Sequence, residues 1–309
     1  MSACKIDGIS YGPPADMEIF KHISIIAAVT LCLSASLVLA DEPTGTLKKI
    51  IDSRTIRLGY QKDLAPLSSI GVNGKPRGYS IDLCHRVVSG IRNEYSLVAL
   101  DIEWVEVTMT NRFQLVADGT IDLECGASAI TLSRMKSVDF SAMTWIDSGT
   151  FLIVRGQSIK TIADLAGKKV AVFKGASTER ALRDALVAQI LAGGQVITQI
   201  VLVKDRQEGM EALESGTVDA LAGDRTILAS FARNARDPKK LVLADFQFMY
   251  EPYGLPLRRN DADFKFAVNS VLANLYHGGE VLKIYKNWFG DLTPPPLLES
   301  LYDLNGLRD

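Results

Sequence analysis

Histidine and cysteine are scarce in this chain, at three and four of 309 residues, and their scarcity excludes much chemistry. His22, His85 and His277 are scattered, and no Cys/His/Asp spacing matches a metal site. No Ser/His/Asp or Cys/His grouping can be assembled from them, so nucleophilic catalysis has little support. Charge of one sign is also missing. Lysine and arginine number 34 against 36 acidic residues, a net −2, and no basic run points to nucleic acid. No G-x-x-x-x-G-K-[ST] loop occurs, which leaves no phosphate cradle of that kind. Low-complexity sequence is confined to Pro294-Pro295-Pro296.

Long apolar runs are absent apart from one near the N-terminus. Lys21 and His22 precede the apolar stretch Ile23 to Leu33, which closes with small residues and Val38-Leu39-Ala40. A charged start, an apolar middle and a small-residue end read as an export signal over residues 1–40, cleaved near Ala40. Residues 1–16 add nothing to that logic, and Met17 is the more sensible start. A membrane anchor is the alternative, but the strongly apolar stretch is shorter than the ~20 residues a spanning helix needs. Cys32 lacks the small residue expected before a lipidated cysteine. With Cys4 and Cys32 in the discarded segment, Cys84 and Cys125 remain, an even pair suited to an oxidising compartment. One expectation is a disulfide from the helix carrying Cys84 to the strand carrying Cys125; two buried free thiols is the other.

What is present is a pattern that occurs twice. Phe113 to Gly126 reads FQLVADGTIDLECG, and Met210 to Gly223 reads MEALESGTVDALAG. In each copy an apolar helical stretch ends at a Gly able to take the left-handed conformation, and a short apolar strand is entered through Asp122 or Asp219. A closing Gly marks close approach of backbone to a neighbour. With 47% apolar residues and room for two domains of about 100–150 residues, the repeat implies two similar α/β lobes with a cleft between them.

The rest of the pattern alternates strands and helices. Strands are expected at Thr55–Tyr60, Leu100–Val107, Thr150–Val154, Lys169–Phe173, Gln195–Val203 and Tyr253–Arg258. Helices are expected at Thr46–Asp52, Gly78–Asn93, Ala176–Leu191, Asp224–Arg233, Asp261–Tyr276 and Glu280–Trp288. Such alternation argues for parallel-sheet lobes. No Gly/Ser-rich linker separates them, so short hinge strands are the expected crossings.

These motifs, in order, resemble the periplasmic amino-acid-binding proteins of ABC importers (solute-binding family 3), most closely the glutamate/aspartate-binding branch. The carrying residues are Thr46 to Ile50, Gly78 to Leu83, Asn111-Arg112, Gly119 to Gly126, Arg134 within SRMKSVDFS, Gly175 to Glu179, Leu213 to Gly216 and Asn287-Trp288-Phe289. The resemblance spans roughly Thr46 to Pro296. It implies a two-lobe periplasmic binding protein of type II with two hinge strands, residues 44–146 plus 248–309 forming lobe one and 147–247 lobe two. It also implies a monomer without cofactor or nucleic-acid partner, which captures an amino acid by hinge closure and delivers it to an inner-membrane ABC permease.

The same resemblance assigns roles. Arg134 corresponds to the arginine whose planar fork holds the ligand α-carboxylate. Free N–H groups near Ser177 and Thr178 complete that grip at a helix start. Asp224 corresponds to the acid facing the α-ammonium, although it could instead cap the helix it begins. Arg112, otherwise a surface residue at a helix start, corresponds to the arginine facing an acidic side chain. The departures are Ala129 in place of a hydroxyl, Ala127 in place of a serine, Gln61 in place of a second arginine, Met109 in place of a serine, and Arg206 in place of a histidine. Losing one hydroxyl removes about 1 kcal/mol of hydrogen bonding unless water substitutes. Through Arg112 the resemblance makes glutamate or aspartate the leading ligand, while Ala127, Ala129, Gln61 and Met109 count against an acidic side chain. Competing readings are a cyclohexadienyl-type dehydratase, with Glu124 or Glu179 as its acid or base, and a ligand-presenting partner of a signalling receptor.

Overall fold

The computed structural model describes residues 42–194 and 197–307. The export-signal reading of residues 1–40 lies outside the described residues, as does the Gln195-Val196 start of one expected strand. Among the described residues no helix is long and apolar enough to cross a membrane.

Two sheets organise the chain. The first runs β5(Asp101–Glu106), β1(Thr55–Tyr60), β6(Leu123–Glu124), β14(Pro256–Arg258), β7(Val138–Phe140). The second runs β10(Gln199–Val203), β9(Lys169–Phe173), β11(Ala220–Asp224), β8(Trp145–Val154), β12(Leu241–Leu243), with β13(Met249–Tyr253) also pairing β8. The remaining strands, β2(Asp63–Leu64), β3(Ser68–Ile70) and β4(Pro76–Arg77), form a small antiparallel sheet. The sheets are mixed rather than purely parallel. β1 pairs β5 and β6 in parallel, and β9 pairs β10 and β11 in parallel, but β14 and β8 enter antiparallel.

Two of the expected elements change at the crossings. The stretch expected as one strand from Tyr253 to Arg258 is split between the two sheets, because Gly254 and Leu255 carry the chain across. On the other crossing, β8 begins at Trp145, before the expected Thr150, and runs ten residues. The chain thus passes between the sheets twice, at 141–144 and 254–255.

The helical framework follows the apolar periodicity. In α2(Tyr79–Glu94), Ile81, Cys84, Val87, Val88 and Ile91 are buried against the first sheet's core. Cys84 is disulfide-bonded to Cys125, just past β6, closing a separation of 41 residues. In α8(Glu280–Phe289), Phe289 stacks on Trp145 with ring centroids 4.8 Å apart, and Trp288 donates to Asp82 at 2.7 Å. A further helix, Pro296–Asn305, follows with Pro296 at its first turn, where a missing N–H costs nothing. Its Tyr302 hydroxyl lies 2.8 Å from that of Tyr79.

The two repeat units superpose in role as well as in sequence. Their helices, α3(Arg112–Ala117) and α5(Arg206–Glu214), run into Gly119 and Gly216 at φ +79° and +74°. Asp122 then accepts the backbone N–H of Arg57 at 2.9 Å, and Asp219 that of Lys169 at 2.7 Å. Each carboxylate therefore pins the start of its strand to the neighbouring parallel strand. Asp122 also takes the Lys49 ammonium at 2.6 Å.

Candidate functional site

A cavity of about 320 Å³ lies between elements of the two sheets, within the range of small-molecule sites. Gln61, Met109 and Ala127 line it from the side of the first sheet, and Thr178, Arg206 and Asp224 from the side of the second. Gln61 follows β1 and is buried. Its side chain donates to Met109 Sδ at 3.0 Å and accepts from the Ala127 N–H at 3.4 Å. Three departures from the resemblance thus touch one another: a polar amide has taken up the thioether and a backbone N–H. Gly126 lets the backbone pass close here, since a Cβ would press on the Glu124 carboxyl and the Gln61 amide oxygen.

Behind the cavity wall two arginines share one aromatic ring. Arg112, at the start of α3, is fully buried rather than on the surface. Its Nε donates to Ser128 Oγ at 2.9 Å, its Nη1 donates to the Met109 carbonyl, and its Nη2 has no partner among the described residues. Arg134 opens a short 3-10 turn. It donates from Nη1 to the Ala129 carbonyl at 2.8 Å and from Nη2 to the Gly175 carbonyl at 3.3 Å, reaching across the cleft. Both guanidinium groups lie over the Phe113 ring, at 4.3 and 4.8 Å. Burial, then the neighbouring Arg134 charge, pulls Arg112 down to about 10, which leaves it cationic at neutral pH. Burial also lowers Arg134.

The opposing wall is acidic. Asp224 ends β11 and precedes α6(Arg225–Arg233), but it makes no capping bond. Asp147 of β8 does that work instead, receiving the Thr226 N–H at 3.3 Å. Asp224 Oδ1 is buried with no partner among the described residues, and burial raises its carboxyl above the ordinary range. Glu251 of β13 accepts from Ser177 Oγ at 2.8 Å, at the first residue of α4(Ser177–Leu191). Thr178 beside it is buried. Arg206, first in α5, lays its guanidinium 4.8 Å over Phe231 and lines the cavity.

Two carboxyl groups raised as possible acids part company. Glu179 accepts from the Gly175 N–H and from Arg183, which fastens the start of α4. Glu124 is fully buried with both oxygens unpartnered among the described residues, and burial raises its carboxyl.

Asp147, Glu251, Tyr253 and Phe113 escaped the sequence reading. A usable signal was there for the two acids: each is the one charged residue of its strand, WIDSGTFLIV and MYEPY.

Two α/β sheets joined by paired crossings, with Arg206 and Asp224 lining a cleft and Arg112 and Arg134 behind its wall, describe a two-lobed binder of a small charged solute. The model for bacterial extracellular solute-binding proteins, family 3, matches residues 56–291, and the chain belongs to that family. It is 37% identical over 280 residues to the L-glutamate/L-aspartate-binding protein of Pseudomonas aeruginosa, covering 90% of this chain and 91% of the relative. It is 28% identical over 293 residues to the glutamate/aspartate import solute-binding protein of Escherichia coli, covering 94% and 95%. A solved structure of an ancestral amino-acid-binding protein, a precursor of cyclohexadienyl dehydratase, is 27% identical with a TM-score of 0.68, covering 79% of this chain and all of that one.

Proposed function

We propose that this chain is exported, captures glutamate or aspartate between its lobes, and delivers it to an inner-membrane ABC permease. The observation that carries this reading is a pair of buried, unpartnered groups of opposite sign near the cleft: Arg112 Nη2 and Asp224 Oδ1. A buried polar atom without a partner costs about 1–3 kcal/mol, and an amino acid's carboxylate and ammonium would satisfy both kinds. Arg134 would hold the α-carboxylate with the N–H groups of Ser177 and Thr178, and Asp224 would hold the α-ammonium. Arg112 and Arg206 would meet the side-chain carboxylate, while Gln61, Ala127 and Ala129 would shape its pocket.

The expected bounds of 44–146 plus 248–309 and 147–247 shift slightly to the crossings at 141–144 and 254–255, so that β8 and β13 belong to lobe two. The lobes turn about those crossings as the ligand's contacts with both draw them together. The protein would act as a monomer, and its export signal would be removed near Ala40. The curated relatives described above carry binding-protein names, which favours capture over dehydration.

The test is a thermal-shift screen of the purified protein, freed of bound ligand, against the proteinogenic amino acids. A ligand at one hundred times its Kd adds about 2.7 kcal/mol of stability, so a raised Tm with glutamate or aspartate is expected. A shift confined to other amino acids would move the specificity to Gln61, Met109, Ala127 and Ala129. No shift with any of them, together with turnover of a cyclohexadienyl acid, would overturn the reading.

A further inference from the structure

The strands that carry the chain towards and away from the second sheet place two carboxyl groups directly opposite one another. Asp147 of β8 is the register partner of Glu251 of β13, and Gly149 of β8 is the partner of Asp224 of β11. Residues two apart on a strand share a face, as do directly opposed residues. Asp147, Glu251 and Asp224 therefore lie on one face of the sheet, together with Tyr253, the partner of Trp145. Opposed residues in an antiparallel pair hold their Cβ atoms about 4.5–5.5 Å apart, and like charges there repel.

Asp147 and Glu251 are only 5% and 6% exposed. Neither forms a salt bridge among the described residues. The partners of Asp147 are the Ser148 and Thr226 N–H groups, and that of Glu251 is the Ser177 hydroxyl. The charged and titratable groups that face them from packed elements are Arg134, Asp224 and the Tyr253 phenol on β13, and Arg112 from α3 acts on Asp224. The Tyr253 hydroxyl is itself buried and unpartnered among the described residues, and it feels all three carboxyl groups. Asp147, Glu251 and Glu124 are buried and Asp224 is half-buried. Against these four acids stand Arg134, Arg112 and Arg225, the last next to Asp224 in the chain with a buried Nη1 that has no partner among the described residues. Full ionisation still leaves negative charge uncompensated. Burial, then the Asp224 charge, pushes Asp147 up to about 7 and Glu251 up to about 8.

We propose that Asp147 and Glu251 store a proton at the crossing of the two lobes and release it when an ammonium-bearing ligand arrives beside Asp224. The O–H bond of the stored carboxylic acid breaks and the proton passes to a buffer base. The ligand's ammonium keeps its own protons and docks beside Asp224, while its two carboxylates pair with Arg134, Arg112 and Arg206, so the charge added next to the Asp147–Glu251 pair is positive. Ligand capture is thereby linked to proton release, and affinity rises with pH until the pair is ionised beforehand. The inference rests on the amino-acid-binding reading given above.

Titration calorimetry of the purified protein with glutamate, at pH 7 in phosphate, HEPES and Tris, reads the linkage directly. Buffers differ in protonation enthalpy, so the observed heat should change with buffer, giving a release of up to roughly one proton per ligand. Affinity should tighten by up to about tenfold per pH unit between pH 6 and 8. Glu251→Gln and Asp147→Asn keep the size and much of the hydrogen bonding of each side chain. Each should still bind glutamate while losing most of the proton release. Tight binding with buffer-independent heat and a flat pH profile would overturn the inference and leave the binding reading intact.

Should glutamate not bind, the pair is read without ligand. Its carboxyl groups hold their protons to higher pH when folded than when unfolded. Stability should then fall as pH rises from about 4 to 8, and the double variant should flatten that slope. Equal slopes in wild type and variant would overturn the proton store on its own account.

Discussion

Arg134 already spends two of its nitrogens on the Ala129 and Gly175 carbonyls, one from each side of the cleft. A ligand carboxylate would exchange neutral acceptors for a charged one, and charge-assisted bonds of this kind are worth roughly twice as much. Arg134→Ala should weaken amino-acid binding by about 2–3 kcal/mol, roughly 30- to 150-fold in Kd by calorimetry. Arg134→Lys, which keeps the charge and loses the planar fork, should fall between. An unchanged Kd in Arg134→Ala would remove this residue from the site. The sequence made Arg134 and Asp224 legible as candidates through their motifs, but it could not show Arg112 as buried. Burial of an arginine depends on what closes over it, here Phe113, Ser128 and the Met109 carbonyl, and no local pattern encodes that. The pairing of Asp147 with Glu251 was hidden for a related reason: it depends on strand register between segments a hundred residues apart in sequence.

At the scale of elements, the repeat was the most legible feature, because it is local: a helix, a positive-φ glycine and an aspartate that fastens a strand. Asp122 is 1% exposed and bonds both the Arg57 N–H and Lys49, whereas Asp219 bonds only the Lys169 N–H at a more exposed place. Asp122→Ala should therefore cost about 2–3 kcal/mol in denaturant unfolding and Asp219→Ala about 1. Equal costs would mean that burial is not what sets the difference. The Cys84–Cys125 bond fastens the helix α2 to the end of the same first unit. Closing a 41-residue separation removes chain entropy worth about 4 kcal/mol on the loop-closure model, so reduction should lower the Tm clearly. The mixed character of the sheets was illegible for the opposite reason to the repeat. Whether β8 and β14 run with or against their neighbours is decided by how the chain crosses between the sheets, which alternation of strands and helices does not specify.

For the whole molecule, ionisation sets where stability peaks. Asp118, Asp164, Asp263 and Glu280 are held below the usual carboxylate range by hydrogen bonds to their ionised forms, and they favour the folded state above about pH 4. Their stability is lost as pH falls through their folded values. Asp147, Asp224, Glu251 and Glu124 are raised by burial and act in the opposite sense, favouring the folded state at low pH and withdrawing that support towards pH 7 to 8. The ligand-free protein should therefore reach its highest Tm at about pH 4–5 and lose stability towards pH 8, and a maximum above about pH 7 would contradict this balance.

The placement of tryptophan adds an optical consequence. The chain has three, Trp104, Trp145 and Trp288, and none lies between Ile146 and Tyr253. Trp145 heads the ten-residue strand that enters the second sheet, yet its ring is stacked against Phe289 and Tyr285 of a helix packed on the first, with its indole nitrogen buried. A swivel of one half against the other about β8 would change the surroundings of this stack, because the strand leaves for the second sheet directly from Trp145. The protein thus carries its own fluorophore at the pivot, and ligand-dependent changes in its emission would report the angle between the halves without any attached dye.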